Sequence, residues 1–353
     1  MPKVLISGYY GYDNLGDELI LKAIIEQLRV IDPALDITVI SSNPWRTVNL
    51  HPSIEAISRR NIFGIIKALR QCRLFISGGG GLLQDTTGQG SVLYYLGWGI
   101  IAKKMFRKKV MLYAQGIGPL HRSLSRSLVS AWIGKMDLIT LREERSLQIL
   151  RELRVPETRI KVTADPVLGL EPKNSGSVSA KHPLCIGVVL RQGQDKLQAV
   201  RHWNEILTNV KNTYNARILL LPFQDPLDVK LSRAIKESMK DKADIKCWDN
   251  LGDIFSFYEN VDILVSMRLH ALILAAVYGK PMLGINYDPK IDNFLRLFGQ
   301  QAVNMEKVVK KLENLVFNQK IIAAEQSAVL QQLQARAREN APLAMELINS
   351  NKG

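Results

Sequence analysis

The amino-acid sequence predicts two α/β domains, each built on a parallel sheet of the doubly wound type. Short apolar runs alternate with helical patterns through the first 170 residues. The alternation stops at residues 171–183, which read EPKNSGSVSAKHP, and then resumes. Strands that alternate with helices favour a parallel sheet with helices on both faces. A length of 353 residues suits two domains of about 100–200 residues each.

The first half predicts a domain over residues 1–170. Its candidate strands are Lys3–Ser7, Ile37–Ser42, Leu74–Ser77, Val110–Ala114, Leu138–Thr140 and Ile160–Thr163. Its candidate helices are Asp17–Arg29, Ile62–Gln71, Val92–Phe106, Ser125–Gly134 and Ser146–Leu153. The strands are almost continuous apolar runs, as expected for strands that are buried on both faces.

The second half predicts another domain over residues 184–300, after a linker at 171–183 that has almost no large apolar residue. Its strands are Cys185–Leu190, Arg217–Leu221, Ile245–Trp248, Ile263–Val265 and Met282–Ile285. Its helices are Ala199–Tyr214, Leu227–Met239, Ile254–Tyr258, Leu269–Tyr278 and Ile291–Leu297. Residues 301–353 are predicted as C-terminal helices, Met305–Phe317 and Gln319–Glu339, and we expect the last to pack back toward the first domain.

The positive charge of the chain is concentrated in one block. The formal net charge is +14, from 47 Lys and Arg against 33 Asp and Glu. Residues 56–136 hold 13 of these basic residues and one acid, Asp85, so the block carries +12 and the rest of the chain +2. Such an excess predicts an anionic partner: nucleic acid, an anionic lipid or a phosphorylated small molecule. A composition of 46% hydrophobic and 23% charged residues excludes intrinsic disorder, a collagen-like fibre and a polytopic membrane protein.

Cysteine usage and the N-terminal segment predict a cytoplasmic location. Cys72, Cys185 and Cys247 are far apart and each adjoins an apolar run, which favours buried, reduced thiols. The N-terminus has three successive apolar residues, fewer than a signal peptide needs. No stretch approaches the roughly 20 apolar residues of a membrane-spanning helix.

The loops that follow the strands carry the candidate ligand contacts. Ligands of parallel sheets bind at the carboxyl ends of the strands, and two such domains predict a cleft between those ends. The first loop, Gly8–Glu18, has three glycines and leads into a helix whose N-terminus offers free amides. Asn14 and Asp17 lie in this loop as candidate contacts, and the structural alternative for Asp17 is a helix N-cap.

Four successive glycines, Gly78–Gly81, follow the third strand. Such a run is costly in chain entropy, which favours a backbone cradle or a surface that lies against a ligand. Asp85 comes soon after, and both catalysis and a structural partnership with an arginine are open for it. Gln115 ends the fourth strand, and Asp165 follows the sixth.

Two arginines are candidate anion contacts because each follows a strand. Arg142 comes after the fifth strand, where it faces the ligand edge of the sheet. An ion pair with Glu143 or Glu144 would explain Arg142 equally well. Arg191 ends the first strand of the second domain.

The segment around His270 is the richest in candidate chemistry. Arg268 and His270 lie where a strand gives way to a helix, and Lys290 follows the next strand. Histidine is the side chain best suited to proton transfer near neutral pH, so this set suits acid–base chemistry on a small, densely charged anion. The other four histidines lack such a setting. No His, Cys and Glu cluster has metal-ligand spacing, so we predict no metal.

Five segments carry a resemblance to a known family: ISGYYGYDNLGDELIL, ISGGGGLLQD, YAQGIGP, ADPV and SMRLHALILAAVYGKPMLGINYDPK. Together they resemble the polysaccharide pyruvyl transferase family, above all its CsaB-type members, over about residues 3–300. The resemblance implies a GT-B-like fold, with two Rossmann-like domains that face each other across a cleft. It implies transfer of a pyruvyl group from phosphoenolpyruvate, a co-substrate, to a saccharide as a ketal, and it implies no cofactor. The acceptor would be a cell-wall or exopolysaccharide precursor, often lipid-linked, and in many members it contains N-acetylmannosamine.

The family pattern also implies residue roles. It implies that His270 is the catalytic histidine, and we expect Arg268 and Asp165 to act with it as catalytic residues. Donor contacts are expected at Arg142, Arg191, Arg268 and Lys290. Acceptor contacts are expected at Asn14, Asp17, Gly79, Gly80, Gln84, Asp85 and Gln115. The histidine would supply or relay protons, the cations would stabilise the donor and the departing phosphate, and a carboxylate would take the hydroxyl proton.

Three other interpretations compete with this one. A GT-B glycosyltransferase that uses a nucleotide sugar would share the fold, but its acidic ribose contact is not evident near Ala271–Gly279. The basic block could bind nucleic acid or glycan, but no DNA- or RNA-binding motif appears, so we predict no nucleic-acid partner. The run Val92–Phe106 resembles an interfacial helix that docks on an anionic membrane, or else a core helix with a basic end. Docking would make the protein peripheral at the inner face of the plasma membrane.

Overall fold

The computed structural model describes residues 3–86, 88, 90–172, 183–192 and 195–350. The chain divides into two units. The first consists of the residues up to Asp13, Asp17–Leu170 and the residues from Leu333 onward. The second consists of Asn14–Gly16 and Glu171–Gln332. Most of the segment predicted as a linker, residues 173–182, lies outside the described residues.

The first unit is built on a parallel sheet, with eight strands among the described residues. They are β1 (Lys3–Ser7), β2 (Asp36–Ser41), β3 (Glu55–Ser58), β4 (Leu74–Ser77), β5 (Gly80–Leu83), β6 (Lys109–Ile117), β7 (Leu138–Leu141) and β8 (Ile160–Val162). The strand order is β3-β2-β1-β4-β6-β7-β8, and β5 pairs with β6. The order reverses between β1 and β4, so the loops after these two strands lie at the switch point where such sheets bind ligands.

Helices cover both faces of this sheet. They are α1 (Leu15–Ile31), α2 (Pro44–Leu50), α3 (Ile62–Gln71), α4 (Gly90–Lys104), α5 (Ser123–Trp132) and α6 (Glu144–Glu152). The sequence did not predict α2, β3 or β5. The helix α2 has only 7 residues, and the edge strand β3 is partly exposed. The strand β5 begins with two glycines. None of the three therefore shows a clear apolar period in the sequence.

The helix α4 belongs to the core. Tyr95, Leu96, Trp98 and Ala102 are all buried in one apolar cluster with residues of β4 and β6. The interpretation of Val92–Phe106 as an interfacial membrane helix is therefore wrong, and the alternative of a core helix with a basic end is confirmed. Among the described helices, none combines the length and the apolar content that crossing a membrane requires.

The second unit is built on a smaller parallel sheet, with five strands among the described residues. They are β9 (Cys185–Val189), β10 (Arg217–Leu220), β11 (Asp244–Ile245), β12 (Ile263–Ser266) and β13 (Met282–Gly284). The order is β11-β10-β9-β12-β13. The helices are α7 (Lys196–Tyr214), α8 (Leu227–Ser238), α9 (Leu251–Asn260), α10 (Leu269–Val277), α11 (Pro289–Leu297), α12 (Val308–Phe317) and α13 (Gln319–Arg338).

The C-terminal helices are divided between the two units. The residues of α13 from Leu333 onward and α14 (Asn340–Asn349) belong to the first unit. Arg336 Nη2 donates to the carbonyl of Thr163 at 2.9 Å, and Thr163 Oγ1 bonds to Asn340 Oδ1 at 3.0 Å. Asn340 is fully buried, so this polar contact fastens the chain end beside β8.

The cysteines differ in exposure. Cys72 and Cys185 are buried, and burial raises the pKa of both thiols to about 11. The third, Cys247, is exposed, so the expectation of a buried thiol is wrong there. It lies two residues beyond β11, which ends at Ile245, earlier than predicted.

Asp85 holds the start of α5. Its Oδ1 and Oδ2 accept hydrogen bonds from the backbone amides of His121 and Arg122, both at 2.8 Å, and the residue is 3% exposed. Burial raises the pKa of Asp85, but these two hydrogen bonds outweigh burial and the pKa is lowered. The side chain thus has a structural role at the start of α5 through backbone amides, and the acceptor contact expected at Asp85 stays a prediction.

We predict that Asp85→Asn lowers the free energy of unfolding by about 2 kcal/mol near pH 7, because the charged acceptor of two amides is lost. The folded-state pKa is lowered, so the stabilisation is present above the unfolded pKa of about 3.9 and is lost as pH falls through the folded value. Urea denaturation at neutral and acid pH measures this. Asp241→Asn, at a side chain that is 76% exposed, is the control, and an equal effect of both variants would contradict the assignment.

Candidate functional site

The carboxyl edge of the second sheet collects the predicted donor residues. Because β9, β12 and β13 are parallel neighbours, with Val189 opposite Ser266 and Ser266 opposite Gly284, their ends lie side by side. The loops that leave these ends carry Arg191, Arg268, His270 and Lys290. Within the second unit, the fold therefore brings together four residues that span 100 positions of sequence.

Arg268 is held by an acid that the sequence analysis missed. Its Nη2 lies 2.8 and 2.7 Å from the two carboxylate oxygens of Asp228 and 3.2 Å from Gln224 Oε1. Asp228 is 1% exposed, and its Oδ2 also accepts the backbone amide of Gln224 at 3.1 Å. Arg268 Nε is buried and has no hydrogen-bond partner within the described residues. One nitrogen thus fixes the guanidinium, and another N–H remains available for an anion.

His270 is the second residue of α10 and is half-buried. Gly16, which belongs to the same unit, packs directly against it: a Cβ on Gly16 would lie 2.4 Å from His270 Nδ1. Asn14 Oδ1 accepts the amide of Gly16 at 3.3 Å, and the amide of Leu15 donates to the carbonyl of Phe223 at 3.0 Å. Asn14 thus shapes the turn that contacts the imidazole, and glycine is required at position 16 for that contact.

Lys290 and Arg191 complete this edge. Lys290 is the second residue of α11, where Asp288 caps the helix by accepting the amide of Lys290 at 3.0 Å. The guanidinium of Arg191 lies over the ring of Tyr287, 5.0 Å from its centre. Two helices, α10 and α11, start at this edge, and helix N-termini favour anions. The edge is suited to a small ligand with more than one negative charge.

In the first unit, Arg142 and Asp165 pair with each other. Arg142 Nη1 lies 3.0 Å from Asp165 Oδ2, and the side chains are 5% and 6% exposed. Glu143, the predicted alternative partner, is 4.0 Å away. A Cβ on Gly116 would lie 2.9 Å from Arg142 Nε, so the guanidinium rests on bare backbone. Burial lowers the pKa of Arg142, but the neighbouring carboxylates raise it above its usual value, so the guanidinium stays charged.

The glycine run serves internal packing. A Cβ on Gly78 would lie 2.1 Å from Tyr10 Oη, and one on Gly79 would lie 2.9 Å from Ile20 Cγ2 of α1. The run is not a loop throughout, because β5 begins at its third glycine. Close approach of Tyr10 and α1 thus requires glycine at positions 78 and 79, and the ligand cradle stays a prediction.

The edge beside this run is rich in buried polar atoms. Asp17 is the third residue of α1, so it is not the N-cap of that helix. Its Oδ1 lies 3.4 Å from the position that a Cβ on Gly80 would occupy, and Gly80 has φ +102°. Gln115 Nε2 donates to the carbonyl of Gly80 at 2.6 Å. Within the described residues, Gln115 Oε1, Tyr10 Oη and Ser7 Oγ are buried without a hydrogen-bond partner. Buried polar atoms normally have partners, so this edge is suited to a ligand with several hydroxyl groups.

Glu18 and His51, which were not among the predicted site residues, fix the loop after β1. Glu18 Oε1 accepts the amide of Gly11 at 2.8 Å, and Oε2 lies 3.3 Å from His51 Nε2. Both side chains are buried. His51 had no apparent setting in the sequence because its partner is 33 residues away. His51 lies ten residues after the end of β2, directly behind α2, and no local pattern in the sequence marks it as a partner of Glu18.

The same loop carries a flat aromatic surface. Tyr9 and Tyr12 stack with ring centres 4.1 Å apart. The guanidinium of Arg59 lies 5.7 Å from the ring centre of Tyr12 and 4.6 Å from that of Tyr94.

Gln84, a predicted acceptor contact, is half-buried and its Oε1 accepts the amide of Thr86 at 2.9 Å. Within the described residues, no group of three or more His, Cys, Asp or Glu has the geometry of a metal site.

Comparison with solved structures shows the fold. HepE of Anabaena in complex with UDP is 13% identical over 99% of this chain and 98% of its own, with a TM-score of 0.64. The UDP-GlcNAc 2-epimerase of Neisseria meningitidis bound to UDP-GlcNAc is 12% identical over 99% and 100%, with a TM-score of 0.66. A glycosyltransferase of Rickettsia africae is 14% identical over 99% and 97%, with a TM-score of 0.57. The predicted GT-B-like fold with two Rossmann-like domains is confirmed.

Comparison at the level of sequence identifies the family. No curated protein sequence matches this chain. The family model of polysaccharide pyruvyl transferases matches residues 14–289, which include the loop after β4 and the whole segment from Arg268 to Asp288. That match covers well over half of the chain, and the chain belongs to the polysaccharide pyruvyl transferase family.

Proposed function

We propose that this protein transfers a pyruvyl group from phosphoenolpyruvate to a saccharide and closes a pyruvate ketal on it. The acceptor is a cell-wall or exopolysaccharide precursor, carried on a lipid at the inner face of the plasma membrane and containing N-acetylmannosamine. The observation that carries the proposal is Arg268, fixed by Asp228 with a buried Nε–H still available, two residues from His270. The proposal assigns no step to a metal or to a resident cofactor.

The second unit supports the donor. Phosphoenolpyruvate carries a carboxylate and a phosphate, and several fixed cations are needed to hold both. Arg268, Lys290 and Arg191 supply three such cations at one sheet edge, and α10 and α11 add their N-termini. Arg142 stays a predicted donor contact, although its charge is already balanced by Asp165.

The first unit supports the acceptor. Its carboxyl edge presents Ser7, Tyr10 and Gln115 with unsatisfied hydrogen-bonding atoms, and Asp17 lies beside them. Burial raises the pKa of Tyr10 well above its usual value, so its hydroxyl stays protonated and can donate. Hydroxyl-rich sugars satisfy such groups, and the Tyr9–Tyr12 pair suits the flat face of a sugar ring.

The chemistry proceeds by protonation and two additions at one carbon. His270 gives a proton to the methylene carbon of phosphoenolpyruvate, whose double-bond electrons form the new C–H bond and leave the adjacent carbon electrophilic. A sugar hydroxyl adds there and loses its proton to Asp17 or Asp165. Phosphate then leaves with its C–O bonding pair, and a second hydroxyl adds and is deprotonated, which closes the ketal. Arg268 and Lys290 stabilise the charge that gathers on the phosphate.

A nucleotide-sugar glycosyltransferase is the second candidate. The structural neighbours HepE and the Neisseria epimerase are recorded with UDP and UDP-GlcNAc. Against it, α10 contains no acidic residue that would bind a ribose. Family membership favours pyruvyl transfer, and ligand binding distinguishes the two.

We predict that phosphoenolpyruvate raises the melting temperature of the protein and that UDP-sugars do not, since a ligand stabilises the state that binds it. Arg268→Ala and Lys290→Ala should each abolish most of the shift, because each removes a charge from the donor edge. Arg217→Ala is the matched control, as this arginine is 56% exposed and paired with Asp244. A shift with UDP-sugars alone would favour the glycosyltransferase.

We predict that His270→Ala lowers kcat by about 10²–10⁴-fold while the melting temperature changes little. Gly16→Ala should also lower kcat, because the added methyl group displaces the imidazole without removing any functional group. The control is Gly97→Ala, where nothing lies within 4 Å of the added atom. Near-normal turnover of His270→Ala in a pyruvyl-transfer assay would refute the proton-transfer role.

A further inference from the structure

We propose that the first unit carries a docking surface for an anionic lipid bilayer, formed by Trp45, Arg60, Ile62, Phe63 and Lys67. Three large apolar side chains here are turned to solvent: Trp45 is 71% exposed, Ile62 48% and Phe63 88%. Trp and Phe are usually well buried in soluble proteins. Ile62 and Phe63 are adjacent in sequence, and exposed apolar side chains of this size mark a surface that meets another apolar phase.

The fold places these side chains at one edge. The strands β2 and β3 are parallel, with Ser41 opposite Ser58, and the amide of Arg59 donates to the carbonyl of Ser41 at 2.8 Å. The helix α2 begins three residues after β2, and α3 begins four residues after β3. Trp45 and Phe63 are each the second residue of these helices, so both lie at the carboxyl ends of neighbouring strands.

The charge around the apolar side chains selects the partner. Phe63, Lys67 and Arg70 are exposed at positions i, i+4 and i+7 of α3 and form one stripe, and Arg60 precedes it. Residues 56–84 contain no acid. Arg46, the cation beside Trp45, is paired with Asp13 at 3.0 Å and is left out of the surface. An apolar tip surrounded by Lys and Arg is the pattern of an element that inserts into the headgroup region of an anionic membrane.

A nucleic acid or a second copy of this protein fits this surface less well than a membrane does. A nucleic acid would contact the cations but not the exposed Ile62 and Phe63. A second copy would have to lie against the positive stripe of α3. The surface replaces α4 as the membrane contact. Docking does not depend on pyruvyl transfer, but it would bring the first unit to a membrane that carries a lipid-linked acceptor.

The test is flotation of the full chain with vesicles. We expect binding to equal parts of phosphatidylcholine and phosphatidylglycerol, and little binding to phosphatidylcholine alone. The variant Trp45→Ala with Phe63→Ala and the variant Arg60→Glu with Lys67→Glu should each lower the partition coefficient by at least about tenfold. All four side chains are exposed, so the fold and any melting shift with phosphoenolpyruvate should persist, which separates this test from that of the proposed function.

Matched controls lie in the second unit. Phe317→Ala removes an aromatic ring that is 73% exposed, and Lys230→Glu with Lys320→Glu makes the same change in net charge at exposed positions. These should bind like the wild type. The proposal would be overturned if the control variants lost as much vesicle binding as the test variants, or if the wild type did not float with anionic vesicles. Sedimentation that shows a dimer dissociated by Trp45→Ala with Phe63→Ala would also overturn it, since the surface would then join two copies.

Discussion

All strands of a parallel sheet end at the same edge, and this constraint decides where the chemistry of the molecule lies. In the second unit it collects Arg191, Arg268, His270 and Lys290 from loops far apart in sequence. In the first unit it places the loop after β1 beside the glycine run after β4. Helices that start at this edge add their positive ends. Each unit thus has one edge at which residues from separate loops meet.

Buried carboxylates then fix individual groups at these edges. Asp228 holds Arg268, Asp165 holds Arg142, and Glu18 holds both His51 and the loop after β1. Removing one member of a buried pair leaves an uncompensated charge and costs about 3–5 kcal/mol. The arginines are therefore set in place before a ligand arrives, and a group that is already oriented loses less entropy on binding. Orientation of this kind is also what transition-state stabilisation requires.

Local features of the fold and site could be predicted from the sequence. The bounds of β1, β4 and α3 agree with their apolar runs, and Arg268, His270 and Lys290 follow strands as expected. Features that depend on distant residues could not be predicted. Asp228 is 40 residues from Arg268, and nothing in the run Gly78–Gly81 reveals that Tyr10 fills the space beside it.

The basic block at residues 56–136 is another feature whose meaning depends on residues outside it. The block carries +12, but the next residue is Asp137, whose carboxylate lies 2.6 Å from Lys103 and 3.8 Å from Lys109. Other members stack on aromatic rings, as Lys135 does on Trp132. A count along the chain therefore overstates the charge that a partner meets. The cations left without an acidic neighbour in sequence include those on α3, where exposed apolar side chains accompany them.

The most direct test of the account is a transfer assay with phosphoenolpyruvate and a panel of lipid-linked and free saccharides. Phosphate release and the mass of the acceptor should be followed together. The account predicts one phosphate released for each pyruvyl ketal gained by the acceptor, and neither product when phosphoenolpyruvate is omitted. A mass gain of a sugar from a nucleotide sugar, with no change from phosphoenolpyruvate on any acceptor, would contradict it.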